Sequence, residues 1–198
     1  TLLHYCTGGR PDEELVQRSE DCDVEFADII PGMNTAWHTS ALLAKMPLLA
    51  DPPDFYYVAD KYGFSDYPYG IWLRHNGPVH FIARTMSVYR ICSNGAAWSS
   101  GVEGQYDKLV RFITGSIAML ETYRPHVTDP DVLRLVDDSI LKLKFQLLYT
   151  QGKDKELRRP PYNRLLKEKP LRFRINNAVK CLFPALHRLY RRKQGYDE

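Results

Sequence analysis

The sequence predicts a mixed chain, α/β in content and of the α+β kind in order, on three observations. Before residue 104 the apolar runs are short, in part alternating or β-branched, and broken by Gly and Pro. After Gly104 two longer segments repeat their apolar residues close to the helical period. With 198 residues and 44% hydrophobic content, the chain can bury one sizeable core and a smaller appendage.

Taken in order, residues 1–7 (TLLHYCT) read as a strand, and the following TGGRPDEE breaks it and opens an acidic, exposed stretch. Residues 24–30 read as a short strand or turn, ended by Pro31-Gly32. A second short element is expected at 35–40, and a helical turn near Ala41 with Ser40 as its N-cap. In ADPPDFYYVAD two prolines predict an irregular, aromatic-rich connection. Tyr67 to Arg74 reads as a helix with Tyr67, Gly70, Ile71 and Arg74 on one face and Gly77 as its stop. PVHFIA and MSVYRIC read as strands.

The helical part begins with QYDKLVRFITGSIAMLETY, whose stripe is Leu109, Phe112, Ile113, Ile117 and Leu120. The next segment has Asp129 to cap, Pro130 at the first position and a stripe of Val132, Leu135, Val136, Ile140, Leu143 and Leu147. A basic linker with prolines follows. Beyond it, Ile175, Val179, Leu182, Phe183, Leu186, Leu189 and Tyr190 lie at helical spacing, with Arg174, Lys180, Arg188, Arg191 and Arg192 elsewhere on the helix. Two readings stay open: a helix suited to peripheral contact with an anionic membrane, and a last helix that packs on its own protein with a solvated charged side.

Net charge is +3 but uneven. Residues 1–150 hold 13 Lys/Arg against 19 Asp/Glu, a balance of −6, and residues 151–198 hold 14 against 5, a balance of +9. Phosphate attraction needs such charge, but no stacking platform or recognition motif accompanies it, so no nucleic-acid partner is expected. Cys6, Cys22, Cys92 and Cys181 are scattered, without CxxC or metal-ligand spacing, which favours reduced thiols and a cytoplasmic setting. No signal peptide and no apolar run of about 18 residues occurs. The start on TLLHYC, without methionine, points to a fragment of a longer protein.

Chemistry concentrates in residues 63–101. Asp66 sits where a loop enters a helix, and the N–H groups of a helix start favour an anion. It reads as a cap or as an oriented general base. Tyr89 and Arg90 close a strand, and the Arg fork suits a phosphate or carboxylate as well as a surface ion pair. Trp98, in GAAWSSG, pins its loop or stacks on a flat ligand such as a sugar face. His38, His75 and His80 are dispersed and read as structural. No Walker, GxGxxG, GxSxG or zinc pattern occurs.

Five stretches in order carry a resemblance: FADII (26–30), MNTAWHTS (33–40), SDYPYGIWLRHNG (65–77), VHFIARTMSVYRIC (79–92) and GAAWSSG (95–101). Together they resemble the acceptor half of an inverting family 2 glycosyltransferase of the GT-A fold, of the bacterial surface-glycan type. The resemblance implies a small mixed sheet with flanking helices over residues 1–103, followed by a helical C-terminal region with a basic tail over 104–198. It makes Asp66 the acceptor base. Asn34 and Thr35 would line the acceptor side, Tyr89 and Arg90 the closing segment near the donor diphosphate, and Trp98 the loop behind it.

Two departures stand out. The donor half, with the Asp-x-Asp that holds Mn²⁺ or Mg²⁺, would precede residue 1, so a divalent metal is expected in the full-length enzyme and none in this chain. Cys92 stands where many relatives have His, and a neutral thiol is a poor ligand for a hard cation. The function expected is transfer of a sugar from a nucleotide-sugar donor to a glycan or lipid-linked saccharide acceptor at the inner membrane, with this portion inactive alone. The alternative is a non-catalytic glycan-binding or scaffold module. The open edge left by a half-fold predicts self-association.

Overall fold

A computed structural model describes residues 2–5, 11–14, 18–31, 42–45, 50–86, 88–91 and 105–182. The chain divides into two compact units, Thr1–Ile140 and Leu141–Glu198. The boundary expected at 103 lies outside the described residues.

The first unit is mixed, as the sequence predicts. Strand β1 (Leu2–Tyr5) pairs antiparallel with β2 (Glu13–Glu14), Leu2 opposite Glu14. On its other side it pairs in parallel with β5 (Val88–Ile91), from Leu2 opposite Val88 to Tyr5 opposite Ile91. A second, antiparallel sheet joins β3 (Cys22–Val24) to β4 (Val79–Phe81), with Cys22 opposite Phe81. Cross-strand neighbours His80 and Asp23 pair at 2.8 Å on its exposed face.

The stretch 24–30 is more helical than its sequence pattern suggests. Val24 ends β3, and α1 (Phe26–Ile29) follows at once, started by the Glu25 N–H donating to Asp28 Oδ2 at 2.8 Å. The irregular connection expected after Ala50 is also a helix, α2 (Asp54–Asp60), with Pro53 as its N-cap. A proline ahead of the first turn takes nothing from a helix, because the N–H it lacks would have no intrahelical partner. Residues 42–45 carry no helix where a turn was expected from Ala41.

Helix α3 (Asp66–Asn76) covers the expected segment and ends at Gly77. Pro68 lies within its first turn, again where no donor is lost. Helix α4 (Gln105–Tyr123) spans the predicted periodic segment, with Ile113, Ile117 and Leu120 buried, and packs along α2. At one end of this pairing Phe55 meets Tyr123 edge-on, ring centroids 5.0 Å apart, and at the other Phe64 meets Phe112 at 4.9 Å. The two helices are therefore antiparallel. Helix α5 (Pro130–Thr150) begins as its sequence dictates: Asp129 Oδ1 accepts the N–H of Asp131 at 2.8 Å and of Val132 at 3.3 Å.

The second unit contains the last turns of α5, α6 (Tyr162–Glu168) and α7 (Leu171–Leu182). Its core is Phe145, Leu157, Leu165 and Leu166, with Tyr149, Tyr162 and Phe173 packed around it. Thus α6 forms inside the expected linker, because Leu165 and Leu166 reach that core.

Candidate functional site around Asp66

The residues between α2 and α3 are placed from both sides. Gly63 takes a left-handed φ of +82°, which reverses the chain after α2. Phe64 then inserts beside Phe112, and the side chain of Tyr62 lies over Gly115 of α4. A Cβ at Gly115 would stand 2.5 Å from Tyr62 Cγ and 2.7 Å from Phe64 Cε1, so this approach requires glycine. Ser65 is the N-cap of α3 by backbone position, and its hydroxyl makes no capping bond.

Asp66 is the first helical residue, half-buried, with Oδ1 accepting the Tyr67 N–H at 3.0 Å. Among the described residues no hydrogen bond reaches Oδ2. The carboxylate thus stands at the positive end of an 11-residue helix, with Oδ1 held by backbone.

Tyr67 fixes the second flank. Its ring is fully buried, and its hydroxyl donates to the Ile30 carbonyl at 2.7 Å. Burial pushes the phenol far above its ordinary value, so it acts only as a neutral donor. Ile30 is the residue where the chain leaves α1 for residues 32–41. The α1 junction is held a second time by Arg74, which reaches Glu25 at 2.5 Å and lies over the Phe26 ring at 5.1 Å.

Tyr69 lies one helical turn from Asp66 on the same face. With Tyr56 it flanks the nearly buried Trp72, both rings 6.1 Å from the indole. Burial, and then the neighbouring Tyr56, raise the Tyr69 phenol. Both tyrosines are half-buried, so each ring keeps part of its area at the surface. Sequence reasoning did not single out Tyr56 or Tyr69. The signal was present, since Tyr69 follows Asp66 by three positions on a helix.

Of the other predicted positions, Asn34, Thr35 and Trp98 lie outside the described residues, as does Cys92. Tyr89 and Arg90 are placed by backbone only, in β5 opposite Leu3 and His4 of β1. His38 is also outside. His80 pairs with Asp23, and His75 lies edge-on to Tyr123, with Nδ1 3.4 Å from the hydroxyl. No family model, curated protein or solved structure matches the chain. Among the described residues no three His, Cys, Asp or Glu side chains converge to hold a metal, and no helix is long and apolar enough to cross a membrane.

Proposed function

We propose that the chain is the acceptor-binding portion of an inverting nucleotide-sugar glycosyltransferase, with Asp66 as its general base. One observation carries the reading: Asp66 opens α3 with Oδ1 held by backbone and, among the described residues, no hydrogen bond at Oδ2, and Tyr69 follows one helical turn on. The ordered resemblance of residues 24–101 supports the same assignment.

The chemistry needs little of this portion beyond placement. An acceptor sugar lies against the tyrosine rings with a hydroxyl at Asp66 Oδ2. As that oxygen attacks the anomeric carbon, its O–H proton passes to the carboxylate and the bond from the anomeric carbon to the diphosphate oxygen breaks on the opposite face. Configuration is inverted, and the diphosphate leaves with the electron pair of that bond. A base held by its own helix start spends no freedom in reaching the proton.

The test uses the full-length gene product with a panel of nucleotide sugars, reading diphosphate release and product anomericity. Asp66→Asn should lower turnover by roughly 10²- to 10⁴-fold with acceptor affinity nearly unchanged. Turnover equal to wild type, or a product of retained configuration, overturns the assignment.

A further inference from the structure

Helix α7 turns two different faces outward and inward. Phe173 lies 4.9 Å from the Tyr149 ring, Lys180 Nζ sits 4.8 Å above the same ring, and buried Asn177 donates to Asp154 at 2.7 Å. These contacts fix the rotation of the helix, since turning it over would leave Asp154 without that donor and Phe173 in water. The opposite face carries Leu171, Ile175, Val179 and Leu182 at spacings of four, four and three. They are 66%, 54%, 38% and 69% exposed. At about 100° per residue these four fall within one quadrant, and exposed Arg172 and Arg174 fall on its two shoulders. No acidic residue occurs between Lys169 and Tyr196.

From this arrangement we propose that α7 docks on an anionic lipid surface, lying in the plane of the interface. The four aliphatic side chains enter the acyl boundary, and the two arginines bind headgroup phosphates on either side. Charge selects this occupant over others. A second copy seated on the same stripe would bring four arginines together. A nucleic acid would satisfy the arginines and leave the aliphatic stripe wet.

The chain should sediment with vesicles of equal parts phosphatidylcholine and phosphatidylglycerol, and bind pure phosphatidylcholine roughly tenfold or more weakly. The surface substitutions Leu171→Gln with Ile175→Gln should lower binding to the mixed vesicles by roughly tenfold or more, with the circular dichroism spectrum unchanged. Arg172→Glu with Arg174→Glu should abolish the preference for anionic lipid. Ile175→Trp, read as a difference spectrum against wild type, should move its emission to the blue on vesicle binding. Vesicle binding without that shift, or binding that the Gln pair leaves intact, overturns the proposal, because attraction to the basic chain alone then accounts for it. So does a dimer in sedimentation equilibrium that the Gln pair dissociates, or tight oligonucleotide binding with no vesicle binding.

Discussion

Replacing Gly115 by Ala sets two effects against each other, and their sizes decide the sign. In the interior of the 19-residue α4, alanine is better than glycine by about 1 kcal/mol, so the helix alone favours the change. The new Cβ, however, would lie 2.5 and 2.6 Å from Tyr62 Cγ and Cβ and 2.7 Å from Phe64 Cε1. Ordinary carbon contacts are about 3.5–4.0 Å, so each overlaps by roughly 1 Å. Two of the three atoms stand at the root of the Tyr62 side chain, where no rotamer change moves Cβ away. The backbone of the turn must therefore shift. Overpacking of this kind costs about 1–3 kcal/mol, and three simultaneous overlaps place it at the upper end. The net effect is a destabilisation of about 2 kcal/mol. For a chain of this size that lowers Tm by roughly 4–8 °C. Thermal unfolding followed by circular dichroism reads it directly. A Tm that rises by the few degrees expected from helix propensity would refute the packing argument, and with it the claim that α4 sets the turn ahead of Asp66.

Tyr67→Phe should lower stability by about 1–3 kcal/mol in urea unfolding, because the Ile30 carbonyl is left buried without its donor; an unchanged midpoint counts against that bond. Burial pushes the Tyr123 phenol up to about 12 from 10.0, although the nearby Arg74 charge acts the other way. A raised acid is stabilising below its unfolded value, so stability should be whole below pH 10 and drain as pH rises toward 12, with a shallower loss in Tyr123→Phe. Burial alone would raise the Asp28 carboxyl, but the Glu25 N–H and Arg18 together hold it lower, and Arg124 holds Asp137 lower through a two-point ion pair. Both contributions are present above the ordinary carboxylate range and are lost as pH falls through the lowered values, so Asp28→Asn should flatten the acid limb of the stability curve below about pH 4. Salt should weaken the half-exposed Arg124–Asp137 pair more than the Arg18–Asp28 pair, and an equal response would show that exposure is not what separates them.

Most of the secondary structure was legible where one local signal sufficed. Helices α4 and α5 follow from the 3.6-residue repeat of apolar side chains, and the start of α5 from Asp129 and Pro130. Asp66 was legible as a helix start for the same reason. Helix α2 was not, because prolines that end a helix from within also precede one without harm, and only the packing of Phe55 against Tyr123 selects the second outcome. The strands were visible as short apolar runs, but their partners were not. Nothing local says that Leu2 lies opposite Val88, 86 residues on.

The sequence by itself determined the order of elements, the helix stripes and the gradient of charge toward the C-terminus, because each depends on neighbours along the chain. Tertiary structure alone decided what those features serve. Tyr67 became the anchor of Ile30, 37 residues away, and Gly115 became the notch that seats Tyr62. In α7 the sequence showed an apolar stripe that left two readings open, a protein core and a lipid surface. That the stripe is exposed is set by Asn177 and Phe173 on the opposite face, since a helix has only one rotation at which both of its anchors are satisfied.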